Sequence, residues 1–293
     1  MSDLATMTAK KQVEKSSQEN KSVPNIRDLI RAQQPAIEAQ LAGALNSGSF
    51  IRAALSTISG DESLQQATPQ SVLGSIMLAA QLKLEIGPAL GHFYLTPRQE
   101  SYQDGDGGWY KRWMCLPIIG YQGLIELAYR TGRIEKIETF LVRHGDTFSY
   151  GANSERGRYF DWTPADHDET RAWTGAIATA KILGAGTIWA FLPKDKILAR
   201  RPKGWEKGPW KSNEEEMARK TLVREIAPYL PKSTEIALAV QRSREVEEEG
   251  RTIESITGIP ELVVSSSETF TPNYIEVSPE ESAKEISKRL RNE

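Results

Sequence analysis

HFYLTPRQESYQDGDGGWYKRWMCLPII, residues 92–119, is where the fold class of this chain can be read. Its ends, HFYLTPR (92–98) and YKRWMCLPII (110–119), are rich in aromatic and aliphatic residues, and QESYQDGDGG between them is a run of turn formers. That arrangement predicts an antiparallel hairpin. Upstream the signals are helical. TPQSVLGSIMLAAQLKLEIG (68–87) has Thr68 as N-cap, Pro69 at the first position and Gly87 as the stop. Its small residues Gly74, Ser75, Ala79 and Ala80 allow another element to pack closely. NIRDLIRAQQPAIEAQLAGAL (25–45), broken at Pro35, and FIRAALSTIS (50–59) are further helices. Downstream, GYQGLIELAYRTG (120–132) reads as a helix stopped by Gly132. IEKIETFLVRHGDTFSY (134–150) reads as two short strands around His144-Gly145-Asp146, and RAWTGAIATAKIL with TIWAFLP as a second hairpin turning at LGAG. Helical pieces over 193–201, 214–227 and 233–248 follow. Helices, then hairpins interleaved with helices, then helices again imply an α+β fold with antiparallel sheets.

Three regions emerge. Residues 1–23 are polar, rich in Lys, Ser and Gln, and predicted to be disordered. Residues 24–248 form the core domain. Residues 249–293 read as a flexible acidic tail, ending in a short helix with a capping box from Ser278 to Glu281 and a thin stripe of Ala283, Ile286 and Leu290.

Cys115 is the sole cysteine, so no disulfide framework or cysteine metal site is expected. No apolar run approaches the ~18 residues of a membrane span, and the N-terminus lacks the apolar core of a signal peptide. These features predict an intracellular protein. Net charge is −2, but residues 92–232 carry 22 basic and 18 acidic groups, whereas residues 233–293 carry 7 and 13. The basic excess concentrates in PKDKILARRPKGWEKGPWK (193–211), and a ligand feels that local field rather than the sum.

Enzymatic motifs are missing from the sequence. No GxxxxGK[ST] phosphate loop and no GxGxxG cofactor loop occurs, and His92, His144 and His167 are scattered. The densest acidic stretch, DWTPADHDE (161–169), reads as a solvated loop, and its carboxylates leave a metal-dependent nuclease as an alternative. Nucleic-acid binding, by contrast, needs cations for phosphates and flat side chains for bases. Trp205 and Trp210 interleave with the lysines of 194–211, and Trp109, Tyr110 and Trp113 accompany Lys111 and Arg112. A scaffold or RNA-binding assembly protein is the second alternative.

EMARKTLVREIAPYLPKS (216–233) joins the two themes. On a helical wheel Ala218, Leu222, Val223, Ile226 and Leu230 share one arc, Lys220 and Arg224 stack away from it, and Arg219 falls inside it. A Glu216–Lys220 surface pair is the bland reading of that basic face.

Over residues 25–240 the chain resembles the RecT family of phage single-strand DNA-annealing proteins. The resemblance is carried by SVLGSIMLAAQLKLEIGPALGHFYL (71–95), IGYQGLIELAYRTGRI (119–134) and EMARKTLVREIAPYLPKS. It implies ATP-independent binding of single-stranded DNA, annealing of complementary strands in phage-type recombination, and assembly into rings or helical filaments. It also implies a partner exonuclease, no required cofactor (Mg²⁺ acting only as a modulator), and a cytoplasmic location in a bacterial host. The acidic tail is expected to dock host single-strand-binding protein. Lys220 and Arg224 match the family's late basic helix, and Tyr121, Gln122 and Arg130 match its middle segment. Gln122 stands where the family usually has lysine. Together with the basic segments, the expected DNA-contact set is Lys111, Arg112, Tyr121, Gln122, Arg130, Lys194, Lys196, Arg200, Arg201, Lys203, Trp205, Lys211, Lys220 and Arg224.

Overall fold

The computed structural model describes residues 26–247 apart from 104–107, 156, 203–205, 207 and 232, together with the backbone of residues 275–276. The predicted disorder of residues 1–23 and the terminal helix lie outside the described residues, as do Lys203 and Trp205.

The first part is helical: α1 (Ile26–Ala32), α2 (Gln34–Leu41), α3 (Ser47–Ser59), α4 (Glu62–Gln65) and α5 (Pro69–Leu82). Pro35 sits at the start of α2, where its missing N–H is harmless, and so divides α1 from α2. Helix α5 is buried on nearly every side, as a helix apolar all round must be. The Thr68 side chain caps it by accepting from the Ser71 N–H. Its end departs from expectation. The helix stops at Leu82, Lys83 takes the left-handed conformation (φ 54°), and Gly87 lies beyond the helix. The reason is the alternation in 83–86. Leu84 and Ile86 are buried while Glu85 is exposed, a two-residue period that suits extended chain, and the Gly87 N–H donates to the Phe93 carbonyl.

The hairpin follows as β1 (Phe93–Gln103) and β2 (Trp109–Ile119), paired in register from Phe93 opposite Ile119 to Gln103 opposite Trp109. The strands are longer, and the connection shorter, than the composition suggested. Helix α5 lies on β2 through hydroxyls. Ser71 Oγ accepts from the Cys115 N–H at 2.9 Å and Ser75 Oγ donates to the Cys115 carbonyl at 3.2 Å. A short strand β8 (Ile275–Glu276), inside the region read as a linker, pairs with the other edge of β2 opposite Tyr110 and Lys111.

Helix α6 (Tyr121–Tyr129) leads to β3 (Ile134–Arg143), β4 (Thr147–Asn153), β5 (Gly157–Thr163), β6 (Trp173–Ile182) and β7 (Gly186–Pro193). Strands β3, β6 and β7 form an antiparallel sheet with β6 central, and β4–β5 form a separate ribbon. Strand β5 runs through GRYF, and its last residues, 161–163, belong to the stretch 161–169 that was read as a loop. Its Phe160 and Trp162, with Phe148 and Tyr150 of β4, pack on Phe140, Trp189 and Phe191 of the sheet at ring separations of 4.5–5.1 Å. Gly175 makes room for this layer, because a Cβ there would lie 2.5 Å from the Phe191 ring.

The opposite sheet face carries Ala176, Ala178 and Ala180, all buried. Short helices α7 (Lys194–Leu198) and α8 (Pro209–Ser212) then lead to α9 (Glu214–Ile226), a 3₁₀ turn at Ala227–Tyr229, and α10 (Thr234–Glu247). The apolar arc of α9 is buried as read from the wheel, with Ala218, Leu222, Val223 and Ile226 at most 1% exposed. The architecture is α+β with antiparallel sheets.

Candidate nucleic-acid interface

GYQG at the start of α6 is positioned by close backbone packing. Gly120 donates its N–H to the His92 carbonyl at 2.9 Å. A Cβ on Gly120 would lie 1.9 Å from the Gly91 carbonyl oxygen, and one on Gly123 would lie 2.4 Å from that of His92. The two glycines clamp α6 against residues 91–92 and thereby set Tyr121 and Gln122 at its first turn. Gln122 is exposed and donates to the Tyr121 hydroxyl at 2.9 Å. Burial raises the Tyr121 pKa, and a hydrogen bond to Glu216 and that carboxylate's charge raise it further.

Glu216 belongs to a run of glutamates opening α9, and each engages a different element. Glu214 pairs with Lys194 at 3.2 Å and with Arg201. Glu215 binds the Arg143 guanidinium through both carboxylate oxygens at 2.9 Å, so β3 is fastened to the helix. Glu216 engages Tyr121 and, at 3.6 Å, Arg219. Acidic residues in a first turn also favour the helix dipole. This turn is where the expected residues of α6, α7 and the 200–211 segment converge. Arg143 was missed by sequence reading. It looks like one more charge on a strand, and only the packing of α9 shows that it is buried.

The expected contact residues fall into three groups. Lys196 and Lys211 are exposed, and neither has an ion-pair partner among the described residues. A second group is anchored. Lys194 lies 4.3 Å from the centre of the Trp173 ring, Arg201 5.8 Å from that of Trp210, and Arg200 pairs with Glu225. On the hairpin, Arg112 lies over Tyr102 at 4.9 Å and 3.6 Å from Glu100, and Lys111 is half-buried. Trp210, read as a possible base-stacking residue, is buried in the core.

The third group includes cations tied to carbonyls or carboxylates of the protein itself. Arg130 donates to the carbonyls of Leu82 and Lys83 at 3.0 and 2.9 Å and pairs with Glu126, so it closes the C-terminal end of α5. Lys220 is 5% exposed and lies 2.7 Å from Glu247 of α10. The expected solvent-facing basic stripe on α9 is therefore corrected, as is the Glu216–Lys220 pair. The wheel located the apolar arc but could not show that Glu247 of α10 reaches Lys220. Burial lowers the Lys220 pKa, the nearby Arg224 charge adds to this, and Glu247 only partly opposes it. Arg224 itself is half-buried. Arg219, the misfit on the wheel, donates to the Thr139 carbonyl at 2.9 Å and is thus paired at the sheet.

The acidic loop is organised around arginine. Asp166 pairs with Arg171 at 3.0 Å, and Asp168 accepts from the Thr170 N–H and hydroxyl. Burial opposes ionisation of Asp146, but bonds from the Arg143 N–H, Trp162 Nε1, the Ala165 N–H and Arg171 outweigh it and hold the carboxyl well below the usual range. Among the described residues no group of three His, Cys, Asp or Glu side chains is placed to hold a metal ion, and no helix is long and apolar enough to cross a membrane.

The RecT family model matches residues 48–257, from α3 through α10. The chain belongs to the RecT family. Protein RecT of Escherichia coli (strain K12) is 34% identical over 213 residues, which cover 71% of this chain and 76% of that protein. The Bacillus subtilis (strain 168) protein YqaK is 26% identical over 209 residues, covering 71% of this chain and 66% of that protein. RecT family membership makes this a DNA-binding protein of recombination and strand annealing, a class that is generally not catalytic.

Proposed function

We propose that the protein binds single-stranded DNA and anneals complementary strands without nucleotide hydrolysis, as a ring or helical filament of identical subunits. The observation that carries this reading is the family match, which spans residues 48–257 and so takes in the GYQG clamp, the glutamate turn and α9. The surface geometry is compatible with it. Lys196 and Lys211 lie near the first turn of α9, beside Lys194 and Arg201 held in place by Glu214. Cations of this kind neutralise phosphates and release counterions. Contacts confined to the backbone leave base edges open, so complementarity is tested by pairing itself. Duplex formation supplies roughly 1.4 kcal/mol per base-pair step, so no fuel is needed.

In this reading the contact surface comprises Lys111, Arg112, Tyr121, Gln122, Lys194, Lys196, Arg200, Arg201 and Lys211, with Gln122 giving a neutral hydrogen bond. An exonuclease that supplies the single strand, a host single-strand-binding protein met by the C-terminal tail, and a cytoplasmic site of action complete it. The test is to add a labelled oligonucleotide to a preformed complex of protein with its complement, without nucleotide or Mg²⁺. Pairing should outrun the protein-free rate, with no gain for a non-complementary strand. Tight binding without faster pairing would leave a coat protein and overturn annealing.

A further inference from the structure

Strand β1 begins with the alternation of a strand that has one covered face. Phe93 and Leu95 are buried, and Tyr94 between them is 36% exposed. The Tyr94 ring lies against the main chain of Gly91 and Gly120. A Cβ on Gly91 would lie 3.1 Å from the Tyr94 hydroxyl oxygen, and one on Gly120 would lie 3.2 Å from the ring. Gly91 also holds φ at +66°, which residues with a side chain rarely adopt. Gly120, already required for the packing of α6, is therefore part of the seat of this ring as well.

The same point above Gly91 lies 3.6 Å from Gln122 Cγ, so Tyr94 and Gln122 flank one glycine. Gln122 donates to the Tyr121 hydroxyl, and Tyr121 is tied to Glu216 of the glutamate turn. Three flat, neutral side chains thus gather at the first turn of α6. Two other exposed tyrosines have partners within the fold: Tyr150 packs on Phe148 and Phe191, and the Tyr129 hydroxyl accepts from the Ile137 N–H. Among the described residues Tyr94 makes no side-chain hydrogen bond, ring contact or cation contact. A phosphate finds no positive charge in this trio, whereas a base finds a π surface to stack on.

We propose that Tyr94 is a base-stacking residue, seating one nucleobase of the bound single strand beside Gln122 at the Gly91–Gly120 floor. This rests on the DNA-binding reading above and adds to it a contact that carries no charge. A base held by its face keeps its pairing edge free for the incoming complement, so the contact fixes the strand without reading its sequence.

The full-length chain and its Tyr94→Leu and Tyr94→Trp variants would be titrated with labelled oligothymidylate over a range of salt, and again with an abasic oligonucleotide of the same length. Tyr94→Leu should weaken oligothymidylate binding about tenfold, within the range of one base–aromatic stack, and leave the salt slope unchanged. Tyr94→Trp should bind at least as tightly as the parent. On the abasic chain the difference between Tyr94→Leu and the parent should vanish. Parental affinity in Tyr94→Leu, a lowered salt slope, or a deficit that persists on the abasic chain would each overturn the stacking role. If Tyr94→Leu fails to fold, photo-crosslinking of the parent to an iodouracil-bearing oligonucleotide decides: the peptide containing Tyr94 should carry the crosslink, and its absence overturns the proposal. A parent that binds neither oligonucleotide would instead remove the DNA-binding reading, and this inference with it.

Discussion

Helix α5 on the β1–β2 hairpin and helix α9 on the β3–β6–β7 sheet are both helices laid on antiparallel strands, but different forces fasten them. Helix α5 is buried almost all round, and its polar links to the hairpin are neutral hydroxyls, Ser71 and Ser75 on the Cys115 backbone. Helix α9 lays a narrow apolar arc on small alanines and surrounds it with charge: Glu214 and Glu225 to α7 and the turn after it, Glu215 to β3, Glu216 to α6, and Lys220 to α10. The first arrangement is insensitive to salt and to anions. The second is built from charged groups that a polyanion can compete for.

That contrast can be broken experimentally. The largest effect is expected in the neutral half, at its tightest backbone approach. Gly120→Ala places a methyl against the Gly91 carbonyl, with no side chain free to yield, and should cost about 3 kcal/mol in urea unfolding. Second comes the charged half. Glu215→Ala strips the buried Arg143 of its bidentate partner and should cost about 2 kcal/mol, whereas removing Glu135 from its exposed pair with Lys181 should cost almost nothing. Equal effects from both would mean that the α9 joint is no stronger than a surface pair.

Asp146 gives a smaller, pH-dependent effect. Its folded-state pKa is depressed, so its contribution to stability is fully present above the unfolded aspartate value of about 4 and is lost as pH falls below it. Asp146→Asn should therefore be less stable near neutrality and should flatten the acid limb of the stability curve. The smallest effect on stability belongs to the exposed cations. Lys196→Ala with Lys211→Ala should leave the melting temperature unchanged while lowering the salt slope of single-strand binding by about 1.4. A drop in melting temperature would show that these lysines are structural too.

These two halves were not equally legible in the sequence. The neutral half could be read closely, because Thr68, Pro69 and the strand-forming runs of 92–98 and 110–119 act through local geometry. Besides the hairpin ends, its misreading was Gly87 as the helix stop, which arose because Lys83 took a left-handed conformation that glycine usually supplies. In the charged half the elements were legible but their partners were not. Arg130, Arg143 and Lys220 look alike in a sequence, and what separates them from Lys196 is a carbonyl or carboxylate tens of residues away. Strand β5 escaped for a related reason. Its exposed positions carry Arg158, Asp161 and Thr163, and its inward aromatics find their support on β3 and β7, partners the local pattern cannot show.

The alanine face of β6 has a consequence for how the chain is made. Ala176, Ala178 and Ala180 are covered by α9, which begins more than thirty residues later in the chain. At the ~5–20 residues per second of translation, that sheet face waits seconds for its lid after the strands have emerged. A small-residue face presents little apolar area to a passing strand during that interval, so the side chains that let α9 approach closely also limit the hazard of its late arrival.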